Sequence, residues 1–198
     1  ENFNSPSETQ NDSFKAVSKY FDRITRPEQI LSSLPQAINT MLDPADCGPA
    51  TISMSQDVQG EAFDYPEIFF EEKIHEIRRI HPDPNQIKEA ADKLKKSSQP
   101  IIISGGGVLY SEAEEEISNF AKKHNIPVTA TVMGIGCMNK DDPYYISAIG
   151  CLGEGSSNNL ATDTDLALAV GTKLGDFTTG SWTNFENENF QLVSINTS

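Results

Sequence analysis

The sequence predicts an α/β protein in which a parallel sheet carries helices on both faces, preceded by a partial α/β segment. Three observations lead there. Between residues 83 and 198, short apolar runs alternate with stretches of helical periodicity. The runs Ile101-Ile102-Ile103 and Leu166-Ala167-Leu168-Ala169-Val170 are continuously apolar, as strands covered on both sides are. Glycine-rich turns follow several runs, at Ser104–Gly107, Gly134–Gly136 and Gly171, where strand-to-helix loops are expected.

Taken in order, residues 1–13 are almost all polar and are expected to be a disordered lead-in. Pro27, followed by Glu28 and Gln29, marks a helix start. Ile30, Leu34, Ala37, Ile38 and Met41 give that helix an apolar face, and Asp43-Pro44 stops it. Ala50–Met54 reads as a strand. Phe63, Tyr65, Phe69 and Phe70 then stud an irregular stretch. One helix and one strand cannot enclose a core, so residues 14–70 read as the end of a domain whose beginning lies elsewhere. Residues 71–82 are charged and run into His81-Pro82-Asp83-Pro84; they are expected to be a linker.

Residues 83–198 follow as a second domain. Asp83 or Asn85 caps a helix carrying Ile87, Ala90, Ala91 and Leu94. Strands are expected near 101–104, 127–132, 145–149, 165–170 and 191–195. Ser111 and Glu114 have the spacing of a capping box for a helix ending near His124. Residues 156–161 should be helical.

Composition removes several functions. Fifteen Lys and Arg against 29 Asp and Glu give a net charge of −14, which repels a phosphate backbone and argues against nucleic-acid binding. No apolar run reaches the roughly 18–20 residues of a membrane span, and the N-terminus lacks the pattern of a signal peptide. A cytoplasmic location is the expectation. The three cysteines form no CxxC, and the three histidines no HExxH, so no metal site is expected. Cys137 and Cys151 are expected to be buried, inert thiols.

The chemistry-bearing candidates are the glycine turns. At the carboxyl ends of parallel strands, glycines let backbone N–H groups approach an anion, and a following helix adds partial positive charge. Gly105, Gly106 and Gly107 are placed for this, with Thr131 and Gly134 on the next strand and Gly171, Thr172, Lys173 and Asp176 on a third. Tight strand–helix turns without a ligand explain the same glycines. The hydride-transfer fingerprint fails, because Tyr110 stands where its third glycine belongs and no acid closes the second strand. Asp165 and Asp176 bracket one strand, either as ribose ligands or as caps. No GxSxG and no GxxxxGK[ST] occurs.

Longer phrases carry a resemblance. Gly48-Pro49-Ala50-Thr51-Ile52, with Gln56-Asp57-Val58 after it, resembles the end of the pyrimidine-binding domain of thiamine-diphosphate-dependent enzymes. Ala50 stands for the usual valine there, and Ser55-Gln56 where proline is common. Pro100–Gly107, Ile126–Gly136 and Asp165–Asp176 resemble the Rossmann-like central domain of the acetolactate-synthase-like branch, with Lys173 in place of an arginine. More narrowly, Tyr20–Glu28, Gln56–Pro66 and Ile77-Arg78-Arg79 are similar to the trihydroxycyclohexane-1,2-dione hydrolases of inositol catabolism.

The resemblance implies a central-domain fragment of a thiamine-diphosphate- and Mg²⁺-dependent enzyme that cleaves a C–C bond of a cyclic dione, giving 5-deoxyglucuronate. The full-length protein would be the hydrolase, with the flanking cofactor domains as partners and a homodimer or homotetramer as the assembly. No catalytic residue falls in this chain, because the family's activating glutamate and its GDG…N metal motif belong to other domains. Gly153-Glu154-Gly155 with Asn158-Asn159 only echoes that motif. In relatives the glycine edge holds FAD or ADP; here it is expected to be vestigial. The alternatives are an FAD-containing acetolactate-synthase-like carboligase or decarboxylase, and a non-catalytic nucleotide-binding or structural module.

Overall fold

The computed structural model describes residues 4, 5 and 7–197. Backbone contacts divide the chain into two units, one ending at Ile80 and one spanning His81–Thr197.

In the first unit, β1 (Tyr20–Ile24) lies parallel to β2 (Ala50–Met54) in a two-stranded sheet, joined by α1 (Ile30–Met41). β1 was not foreseen: Asp22 and Arg23 interrupt its apolar character. Asp22 earns its place through the helix, accepting a hydrogen bond from the Ser33 hydroxyl on α1. A 3-10 turn, Pro27–Gln29, precedes α1, and the Gln29 side-chain oxygen accepts from the backbone N–H groups of Thr25 and Arg26. The helix buries Ser33 and Ala37, while Leu34 and Met41 of the expected apolar face are exposed. A short α2 (Gln56–Gln59) follows β2.

The expected disordered lead-in is corrected over its described end. Gln10–Val17 is a 3-10 helix, and the Asn11 amide donates to the Ser53 hydroxyl on β2. Residues 1–3 and 6 of that lead-in lie outside the described residues. The aromatic stretch packs on itself: Tyr65 lies against Phe63, Phe69 and Phe70, and its hydroxyl donates to the Pro27 carbonyl. Residues 71–82 are irregular and exposed.

The second unit opens with α3 (Pro84–Lys96), whose N-cap Asp83 accepts from the N–H groups of Asn85 and Gln86. Then come β3 (Pro100–Ser104), α4 (Gly106–Tyr110), α5 (Glu114–His124) and β4 (Val128–Ala130). β5 (Tyr145–Ala148), α6 (Gly155–Asp163), β6 (Leu166–Val170), α7 (Asp176–Thr179) and β7 (Gln191–Ile195) complete it. The five strands are all parallel, in the order β5-β4-β3-β6-β7. The order starts in the middle and grows outward in both directions, which places helices on both faces. Successive side chains of β3 therefore serve different cores: Ile102 joins Val108, Ile117 and Val128 on one side, and Ile101 and Ile103 join Ile149, Ala161 and Ala169 on the other.

Two local expectations differ. Ser111 does not cap α5; it closes α4, which the Gly106–Tyr110 segment forms as a separate turn of helix. Glu112 then takes φ 54°, turning the chain before Ala113, the N-cap of α5. β4 also ends at Ala130, because Val132–Gly134 winds into a 3-10 turn across the end of the sheet.

Candidate functional site

The carboxyl ends of β3, β4 and β6 lie side by side, so the structure does bring the three glycine turns together. How they meet decides what they can hold. The Gly105 N–H donates to the Val170 carbonyl (2.8 Å), and the Gly107 N–H to the Gly171 carbonyl (2.9 Å). The Thr131 N–H donates to the Ser104 carbonyl (2.9 Å), and Gly134 in turn to Thr131 (2.8 Å). The expectation of exposed N–H groups along Gly105–Gly107 is thus corrected at Gly105 and Gly107. Neighbouring strands and loops take those donors before any anion reaches them.

The spaces that the glycines leave open are also filled. A Cβ on Gly107 would lie 2.6 Å from the Gly171 Cα, and one on Gly105 would lie 2.5 Å from the Thr172 Cβ. A Cβ on Gly134 would come within 2.8 Å of the Ser104 carbonyl carbon. Gly171 adopts φ +62°, a left-handed conformation that glycine takes without steric cost, and its own Cβ would meet the Gly107 Cα at 2.7 Å. The absent side chains make room for backbone.

The remaining candidates sit around this joint. The Thr172 hydroxyl accepts from the Leu174 N–H, and Lys173 and Asp176 are exposed. Asp165 is at the opposite end of β6 from Asp176. Its carboxylate accepts from the Ser97 hydroxyl and from the N–H groups of Ser98 and Gln99, tying down the α3–β3 loop. Burial pushes the Asp165 carboxyl up, but those three hydrogen bonds outweigh it and hold the group below the usual aspartate value. It is a loop cap and not a ribose ligand. The residues present do not fit a nucleotide diphosphate.

Nor do they assemble a thiamine diphosphate or magnesium site. The Asn158 side chain is spent on the Gly150 backbone, accepting from its N–H and donating to its carbonyl. Among the described residues, no three or more His, Cys, Asp or Glu side chains converge on a point that could hold a cation. Cys137 is buried, and desolvation pushes its thiol up, away from nucleophilic use. Cys151 is exposed in the loop after β5, which corrects the expectation that both thiols are buried.

Away from the glycines, a cleft of about 550 Å³ lies between the start of α5 and the loop before β5. Its Asp142, with a side chain only 8% exposed, accepts from Lys122 (2.9 Å) and from the Ser118 hydroxyl. Asp142 is not legible in the sequence, since its side-chain partners Ser118 and Lys122 are 20 or more positions away and only the fold supplies them.

A model of the central domain of thiamine pyrophosphate enzymes matches residues 87–198, more than half of the chain. The chain belongs to that family. Its likeness to curated proteins extends beyond the matched domain. It is 43% identical over 188 residues to 3D-(3,5/4)-trihydroxycyclohexane-1,2-dione hydrolase 1 of Bacillus cereus, covering 95% of this chain and 29% of that protein. The hydrolase of Clostridium tetani is 43% identical over 190 residues, covering 96% and 30%. That of Bacillus anthracis is 42% identical over 188 residues, covering 95% and 29%. The chain spans under a third of the length of these relatives. No described helix is long and apolar enough to cross a membrane.

Proposed function

We propose that this chain is an internal part of a thiamine-diphosphate-dependent hydrolase that opens the ring of trihydroxycyclohexane-1,2-dione to 5-deoxyglucuronate, in cytoplasmic inositol catabolism. The observation that carries the reading is the identity over 95% of the chain, which takes in the first unit as well as the central domain. A shared central domain alone would leave the substrate open.

Thiamine diphosphate supplies a nucleophilic carbon and an electron sink for cleaving a C–C bond beside a carbonyl. In our reading it and Mg²⁺ are held by flanking domains of the longer protein, in a homodimer or homotetramer. The present residues give those domains a rigid parallel sheet to lean on and contribute no acid, base or nucleophile.

The full-length protein, supplied with thiamine diphosphate and Mg²⁺, is expected to consume the dione and release the open-chain acid. The 198-residue chain under the same conditions is expected to do nothing. Turnover by the chain alone would refute the assignment. So would a full-length protein that carries flavin absorbance and condenses pyruvate, since that is the carboligase behaviour.

A further inference from the structure

We infer that the glycine edge of the second unit is a structural clasp, closed to a nucleotide diphosphate, and that this domain works without FAD or ADP.

A diphosphate cradle needs backbone N–H groups that point outward and a gap that a Cβ would fill. Here the donors of Gly105 and Gly107 are used by the carbonyls of Val170 and Gly171. The gap is used by the loop after β6, whose Gly171 and Thr172 atoms stand where side chains on Gly105 and Gly107 would go. At Gly106 the gap is narrow as well: a Cβ there would lie 3.1 Å from the Met133 carbonyl oxygen and 3.3 Å from the Met133 Cβ, tighter than most real contacts.

The surroundings agree. The residues standing out from the carboxyl ends of β4, β5 and β6 include Met133 (75% exposed), Ile135, Leu152 and Phe177. The exposed Lys173 is a donor at this edge too, but it follows Gly171 and Thr172, whose atoms already fill the glycine gap. The clasp instead explains why glycine is needed on three strands at once: the turns after β3, β4 and β6 interlock through backbone, and each removes the room for a side chain on the next.

The test uses the full-length protein, with isothermal titration of ADP and FAD at millimolar ligand and thermal unfolding of two variants. No saturable heat is expected from the parent. Gly107→Ala is expected to lower the unfolding midpoint of this domain by about 5 °C or more, and Gly106→Ala to stay within about 2 °C of the parent. Saturable binding of either nucleotide that Gly106→Ala abolishes would overturn the inference. A Gly107→Ala protein as stable as the parent would also overturn it. If Gly107→Ala fails to fold, the clasp is supported and the parent titration still stands as the independent check. Dione turnover does not enter either readout, so this inference and the hydrolase assignment fail separately.

Discussion

On β3, Ile101, Ile102 and Ile103 are all buried although they point alternately to opposite faces. On β2, a strand of the same length, only Ser53 is buried. The difference lies in what surrounds each strand. β3 has β4 on one side and β6 on the other, with helices over both faces; β2 has β1 and a single helix-bearing connection. Apolar content is thus a poor guide to burial when enclosure is incomplete. Leu34 and Met41 are as apolar as any residue in the second unit, yet they remain 36% and 49% exposed.

The sharpest way to break this comparison is a matched pair of truncations. Ile103→Ala removes a fully enclosed side chain and is expected to cost about 2–5 kcal/mol of stability in the second unit. Ile52→Ala, on the half-covered β2, should cost less than half as much. Denaturant midpoints followed in each unit would show it; equal losses would mean that the two sheets are equally enclosed.

A second effect concerns the polar ties that hold the enclosed sheet. Asp165→Ala leaves three donors at the α3–β3 loop without their acceptor and is expected to cost about 1–3 kcal/mol. Asp165→Asn should recover part of this, since its amide oxygen still accepts. Hydrogen exchange at Ser98 and Gln99 is the direct readout, and unchanged protection in the alanine variant would refute the cap.

Acid should act more gently, and on both units, since Asp12, Asp43 and Asp57 of the first are also held below the ordinary aspartate value. The Lys122 ammonium, and then the Tyr144 N–H, hold the Asp142 carboxyl below its ordinary value. A carboxylate whose folded pKa is depressed adds stability that is fully present above the unfolded value of about 3.9 and lost as pH falls through the lower folded value. Stability of the second unit should therefore fall below about pH 4, and Asp142→Asn should flatten that limb. An unaltered acid limb in the variant would assign the loss to other carboxylates. The smallest effect is expected at Lys93, whose exposed i,i+4 pair with Glu89 should contribute under about 0.5 kcal/mol. A larger loss in Lys93→Ala would mean that its stem packs on the domain.

Much of this was legible beforehand. Continuous apolar runs flanked by helical periodicity locate β3 and β6 within a residue or so, because a strand buried on both faces tolerates almost no polar residue; β7, an edge strand that carries Gln191 and Ser194 and buries only Val193, is located by its short Leu192-Val193 run. The Asp83 cap and the end of α5 at His124 are likewise written in local chemistry. β1 was illegible for the converse reason: its Asp22 is satisfied by Ser33, eleven positions on, and pairing at that distance leaves no periodic trace.

The glycines mark the boundary between the two kinds of knowledge. From sequence alone, Gly105, Gly106, Gly107, Gly134 and Gly171 show only that the backbone must pass where a side chain cannot. A phosphate and a second stretch of backbone impose that demand alike, because each needs the same missing Cβ. Only the tertiary structure, by bringing the carbonyls of Val170 and Gly171 onto the Gly105 and Gly107 donors, decides that the neighbour here is the chain itself.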